Sequence, residues 1–332
     1  MRLMAGVITF MMALLAMCAG GARAADYTFV LPVPTGAVAE AGGESGDPGG
    51  DASKFLAQVC EILSEKTGDN IECAVTQKPN DATLTRENID AFLGRLEDMD
   101  YSAVYLSSND FYRIARSGYE ELTPALSISF FDKNYDQVCL YTLKEEEIVD
   151  IEELRGRRWG GSYFYMPTRY LLYRNGIDET LGDFFGKMDY VAVDSYVPMA
   201  RRLLAGEVDV FTGTVEEESV GKMKDKEFGR IEGKFCVKHR ATHLIAFHQS
   251  MPREKMQQLR HILLHAHRDK DFRPFWFIFT AIEGHFVPFD SEAFSLTTEY
   301  VDTCNERGWL DEHLDFITKN TSPGAGDAAG SD

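Results

Sequence analysis

Apolar and polar positions along this chain switch repeatedly between a short strand-like period and a helical one. Tyr27 to Pro32 is a short β-type run, and the Gly-, Ala-, Glu- and Asp-rich stretch from Thr35 to Ala52 has no apolar periodicity and reads as a long loop. Ser53 has the chemistry of an N-cap, and Phe55, Leu56, Val59, Cys60, Ile62 and Leu63 recur at helical spacing until Thr67-Gly68 stops them. Ile71 to Thr76 returns to a strand, so the chain opens as β-loop-α-β, which favours a parallel sheet with helices on its faces. The pattern repeats with a helix at Asn88–Leu96, a strand at Tyr101–Leu106 and a helix at Asp110–Ser117 just beyond Ser107-Ser108-Asn109.

Gln137 to Leu143 reads as a strand that leaves this first unit, followed by Glu145-Glu146-Glu147 as an acidic helix start. A second, compact α/β series follows: strands at Arg157–Gly161, Met188–Val193 and Val208–Thr212, with helices at Thr168–Asn175 and Val197–Ala205 closed by Gly176 and Gly206. Ala241 to Phe247 is a returning strand, Arg253 to Glu283 a long helical region, and the polar tail after Thr318 has nothing to bury and is expected to be disordered. The simplest topology is two α/β units, one interrupting the other, joined by two crossing strands. The expected division is lobe one at 25–136 plus 240–318, lobe two at 137–239 and a disordered tail at 319–332.

The first residues change where this fold is expected to work. Arg2, the apolar stretch Leu3–Met17 and the small residues of Ala22-Arg23-Ala24 form a secretory signal with cleavage before Ala25, placing the mature protein in the periplasm. The apolar stretch is too short to favour a membrane span. Cys18 after the apolar run keeps a lipid anchor open as an alternative, although bulky Met17 suits that processing poorly. With 332 residues, 44% hydrophobic and 12% aromatic, the chain can bury one large core or two medium ones. Its formal charge of −19 becomes more acidic once Arg2 and Arg23 are removed, which excludes nucleic acid and anionic membrane as natural partners. Five cysteines remain in the mature chain, Cys60, Cys73, Cys139, Cys236 and Cys304, allowing at most two internal bridges. Helix-on-sheet packing could bring Cys60 and Cys73 together; buried free thiols are the competing reading.

At this point several segments resemble a known family. Asp150-Ile151-Glu152-Glu153-Leu154-Arg155-Gly156-Arg157-Arg158-Trp159 resembles the D-L-x-x-L-K-G-K entry to the second lobe of type-II periplasmic solute-binding proteins. The stretch Arg202 to Phe211 resembles their L-x-x-G-x-V-D-A signature, and Asp100 to Leu106 the matching strand of the first lobe. Gly284-His285-Phe286-Val287-Pro288 matches the late Gly-x-Phe-x-Pro segment of the phosphate, phosphite and phosphonate-binding branch. The resemblance implies a two-lobed α/β fold hinged by two strands and capture of a small ligand, such as a phosphate- or phosphonate-like oxyanion, between the lobes. It implies delivery to the inner-membrane permease of an ABC importer, no enzymatic activity, no cofactor and a monomeric state. A partner sensor kinase with an amine ligand is the alternative, and a periplasmic enzyme on the same scaffold is a third. One stretch departs from the branch: its hydroxyl-rich turn after the first strand of lobe two is replaced by Gly161-Ser162-Tyr163-Phe164-Tyr165-Met166-Pro167-Thr168.

Candidate ligand contacts sit where strands run into helices, since ligands of open α/β sheets bind beyond the carboxyl ends of strands. In lobe one these are Ser107, Ser108 and Asn109, with simple helix capping as the competing reading. In lobe two they are Tyr163, Tyr165 and Thr168, the last read as a helix cap, with Thr212 and Thr214 after a strand; ordinary packing competes for the aromatics. Glu216-Glu217-Glu218 reads as a solvated helix start, though acids beside aromatics would also suit an amine. His261 and His265 lie one helical turn apart, a spacing that can bind zinc, but no acid or cysteine completes a set and no metal is expected. No Gly-x-Ser-x-Gly elbow, phosphate loop, HExxH motif or familiar Cys/His pairing points to catalysis.

Overall fold

The computed structural model describes residues 25–34, 48–78, 86–98, 100–161, 164–189, 196–215, 218, 221, 225–275 and 284–321. The expected export signal, Tyr163, Glu216 and Glu217, the end of the long helical region at 276–283 and the tail beyond Thr321 lie outside the described residues.

The first layer is built from β1 (Tyr27–Pro34), α1 (Pro48–Thr67), β2 (Ile71–Lys78), α2 (Arg86–Asp98), β3 (Ala103–Leu106), α3 (Ser108–Arg116) and β4 (Leu122–Ser129). The chain then crosses into β5 (Tyr135–Leu143), β6 (Arg158–Gly160), α4 (Tyr165–Arg174), α5 (Leu181–Phe184), β7 (Lys187–Asp189), α6 (Tyr196–Leu204), β8 (Val210–Thr214) and β9 (Ile231–Ala241). It returns through β10 (Leu244–His248), α7 (Arg253–His265), β11 (His285–Pro288), α8 (Ser291–Glu306) and α9 (Trp309–Thr321).

Two sheets result. The first has the order β11-β4-β10-β3-β1-β2 and the second β7-β6-β8-β5-β9. Each keeps a parallel set at one side, β2-β1-β3 in one and β7-β6-β8 in the other, and adds antiparallel strands on the other side, where the chain enters or leaves. The expected parallel sheets are therefore mixed ones. Helices cover both faces of each. In the first sheet Val104 and Leu106 pack toward Phe92, Leu96, Phe111 and Ile114 of α2 and α3, while Ala103, Ile245 and Phe247 face Leu63 of α1 and Leu259 and Leu263 of α7. In the second, Val138 and Leu140 face α4 and α8, and Cys139 and Tyr141 face α6, as the two-residue side-chain period of β5 requires.

Several elements differ from their sequence reading for identifiable reasons. α1 begins at Pro48 rather than after Ser53, because a proline at the first helical position needs no N–H partner and has its φ already set. The acidic run at Glu145 starts no α-helix: Lys144–Glu146 is one 3-10 turn that ends at Glu147 in the left-handed region. Asp150 and Glu153 instead form a capping box on a second short turn, Ile151–Leu154. The region after Arg253 is one helix to His265, followed by 3-10 turns over Ala266–Arg268 and Lys270–Phe275.

α8 and α9, unread in the sequence, join the two halves. α8 lies against β9, α3 and α4, and Trp309 and Phe316 of α9 enter the same core as Trp159 and Tyr165. Two disulfides close the structure, Cys60–Cys73 between α1 and β2 (Cα–Cα 5.8 Å) and Cys139–Cys236 between β5 and β9 (Cα–Cα 4.1 Å), while Cys304 is free and buried.

Candidate functional site

The carboxyl end of β3 runs straight into α3, and Ser107 makes the turn. In an extended conformation it N-caps the helix, its Oγ accepting the Asp110 N–H at 3.1 Å, while Asp110 supplies an acid to the first turn. Ser108 points elsewhere. Its hydroxyl donates to the Ala241 carbonyl at 2.6 Å, and the Ala241 N–H donates to Thr297 Oγ1 of α8 at 2.9 Å, so the α3 N-terminus is pinned to the returning crossing strand and to α8. Asn109 is buried, and its Oδ1 has no hydrogen-bond partner among the described residues. A buried unpaired amide oxygen costs roughly 1–3 kcal/mol, so it is a position where a ligand group or water is energetically welcome.

Around the two crossings lies a polar cluster that the sequence did not single out. Asp136 of β5 and Arg240 of β9 stand opposite each other and pair at 2.7 Å, with Asp136 buried. The Tyr105 ring of β3 stacks on His243 with centroids 5.3 Å apart. Burial, with the nearby Asp136 carboxylate adding to it, pushes the Tyr105 hydroxyl well above the usual phenol value. On the opposite side of β9, His239 packs its ring against Tyr300 of α8. Burial, reinforced by the Arg240 cation, lowers its pKa to about 3, so this imidazole is neutral at physiological pH. Nothing local marks Asp136 and Arg240 in the sequence, since β5–β9 pairing alone brings them together across 104 positions.

In the second lobe Thr212 and Thr168 meet. The Trp159 indole N–H donates to Thr212 Oγ1 at 3.0 Å, the two threonine hydroxyls lie 2.7 Å apart, and the Thr168 hydroxyl donates to the Phe164 carbonyl. Since the Thr168 proton is committed to Phe164, Thr212 donates to Thr168, and a relay of three hydrogen bonds links β6, β8 and α4. Both threonines are fully buried. Thr168 is therefore not the cap of α4: the helix starts three residues earlier, and Phe164 holds the N-cap position without a side-chain hydrogen bond. Tyr165, on the first turn, turns its ring into the core, stacked on His313 of α9 at 5.3 Å with its hydroxyl 3.4 Å from Glu312 Oε2. Thr214 sits at the end of β8, where its carbonyl accepts the Tyr141 hydroxyl at 3.1 Å; the same hydroxyl lies 3.2 Å from Glu218 Oε2.

The two helix N-termini differ in charge. α3 begins with a capping serine and an acid in its first turn; α4 has neither a side-chain cap nor an acid there, and its first residues are Tyr165-Met166-Pro167. The positive pole of α4, beyond the carboxyl end of β6, is thus left uncompensated by its own side chains. Among the described residues, no group of three or more His, Cys, Asp or Glu side chains could hold a metal ion, and no helix is long and apolar enough to cross a membrane.

No family model matches this chain, and no curated protein matches it. Solved structures do. A Xanthomonas citri protein bound to chloride ion superposes with a TM-score of 0.56 at 16% identity, covering 87% of this chain and 99% of that one. PhnD1 from Prochlorococcus marinus in complex with methylphosphonate gives 0.54 at 12%, covering 84% and 98%. The periplasmic aliphatic sulphonate binding protein SsuA from Escherichia coli gives 0.51 at 9%, covering 87% and 89%. The chain has the two-lobed α/β fold of type-II periplasmic binding proteins.

Proposed function

We propose that this chain is an exported solute-binding protein that closes two lobes over a small oxyanion of the phosphate or phosphonate kind and presents it to the inner-membrane permease of an ATP-driven importer. The observation that carries the reading is the α4 N-terminus, a positive pole without a side-chain cap among the described residues, beyond the carboxyl end of β6, the place where anions are held by backbone N–H groups. Asn109 adds a buried amide from the first lobe, which offers an acceptor to a ligand O–H or, turned over, a donor to an oxyanion. In this reading Ser107, Asn109 and Thr214 supply the rim contacts, Tyr163 stays a candidate by sequence alone outside the described residues, Ser108 is committed to the Ala241 carbonyl, and Thr168 and Thr212 lie behind, shaping α4. On the same reading the lobes divide at 137–239 within 25–136 and 240–318, with α8 and α9 at the end of the chain reaching over to pack on the second lobe, and ligand binding favours the closed arrangement by hinge motion. Export by cleavage after Ala24 places the mature monomer in the periplasm, in keeping with its two disulfides.

The test is a thermal-shift screen of the mature protein against phosphate, methylphosphonate, alkanesulfonates, small carboxylates and amines. A true ligand at 100 times its Kd adds about 2.7 kcal/mol of apparent stability. Stabilisation by amines with none from any oxyanion overturns the reading. Recovery of the ligand chemically unchanged separates capture from enzymatic turnover. A second reading, an amine ligand sensed on behalf of a membrane kinase, is favoured by Glu218, whose carboxylate lies beside Tyr141 at the end of β8.

A further inference from the structure

Away from the crossing strands, α7 carries His261 and His265 at the four-residue spacing that puts both on one face of a helix. Both are exposed, and their ring centroids stand 4.4 Å apart. His265 is already oriented. Its Nδ1 lies 2.8 Å from the His261 carbonyl, to which it donates, so in the neutral ring Nε2 is the nitrogen left to bind a metal. That is the arrangement of a metal-ligating histidine, whose second nitrogen is tied to a backbone carbonyl that fixes tautomer and direction.

We propose that His261 and His265 form a two-histidine surface site for a borderline transition-metal ion, Zn²⁺ or Cu²⁺, with water completing the coordination. The geometry permits it: two nitrogens at about 2.0–2.1 Å from one ion in tetrahedral array lie roughly 3.3 Å apart, within reach of rings spaced this closely. The electrostatics favour it as well. The pair occupies the last turns of α7, where the helix carries its partial negative charge, on a chain whose formal charge is −19. No third protein ligand joins them among the described residues, so the site is open, and ligand softness selects Zn²⁺ and Cu²⁺ over Mg²⁺ or Ca²⁺. It is independent of the proposed solute site.

The test uses untagged, oxidised mature protein stripped with EDTA and titrated with zinc chloride by calorimetry. One equivalent is expected to bind, and His261→Asn or His265→Asn to weaken it by about a hundredfold, the low end of the gain from holding two ligands on one scaffold. Because both side chains are exposed, neither variant should shift the urea midpoint, which checks that the loss is not unfolding. Copper(II) added in place of zinc should give an electron paramagnetic resonance signal split by two nitrogens. A one-nitrogen signal, zinc binding untouched by either substitution, or binding abolished by His285→Asn at the neighbouring His267–His285 pair, overturns the proposal.

Discussion

Replacing Thr212 by valine separates a residue that shapes the second lobe from one that touches a ligand. Valine keeps the shape of threonine and removes only its hydroxyl, and in the folded chain that hydroxyl accepts from the Trp159 indole and donates to Thr168. Trp159 is completely buried, so its N–H cannot turn to water, and leaving it unpaired costs about 1–3 kcal/mol. Thr168 keeps its bond to the Phe164 carbonyl, so its loss is the smaller part. A net destabilisation of about 2 kcal/mol is expected, roughly 8–16 °C in Tm if the second lobe melts as one unit of about 100 residues. Thr212→Ser, which retains the hydroxyl, should recover most of it. A double-mutant cycle with Trp159→Phe should show coupling of about 1 kcal/mol, since the phenylalanine has no N–H to strand. Thr212→Val within 0.5 kcal/mol of the parent in urea unfolding would refute the relay and leave Thr212 free to serve as a direct ligand contact.

Three further outcomes follow from other parts of the molecule. His239 is held neutral to about pH 3 when folded but takes a proton near 6.5 when unfolded, so its contribution is intact above pH 6.5 and lost as the pH falls; at pH 5 the loss is about 2 kcal/mol, and His239→Phe should flatten the urea midpoint between pH 7 and 5 by that amount. Peptide mapping without reductant should recover Cys60 linked to Cys73 and Cys139 to Cys236, and Cys304, whose thiol burial pushes up to about 12, should react with maleimide only after denaturation; labelling of Cys304 in the native protein would count against its burial. Gly186→Ala would place a Cβ 2.3 Å from the Gly156 carbonyl oxygen, a backbone clash worth about 1–3 kcal/mol, measurable as a lowered Tm, and an unchanged Tm would mean that this turn is free to shift.

The alternation of strands and helices was legible because its signals are local. Thr67-Gly68, Gly176 and Gly206 end their helices in the left-handed conformation only glycine adopts freely, and Leu56 to Leu63 or Tyr101 to Leu106 show their period within one element. The same signals identified the joints at Ser107 and at Gly161–Thr168 where strands meet helices. β4 and β9 left no such trace. Pro124 and Ser127 interrupt one and Gly233, Lys234 and Lys238 the other, and they are strands because β10, β11 and β5 supply hydrogen-bonding partners from far along the chain. α8 and α9 likewise owe their place to surfaces on both lobes rather than to their own composition. Side-chain direction was the other matter decided in three dimensions. A threonine after a strand reads equally as a ligand hydroxyl or as a buried strut; Thr212 became the strut because Trp159, 53 positions earlier, places an indole N–H beneath it. Tyr165 could have faced a ligand, but α9 offered His313 and Phe316 to its ring. Asp136 and Arg240 carry no mark until strand register sets them opposite each other, because an ion pair between distant segments is a property of pairing and not of either segment alone.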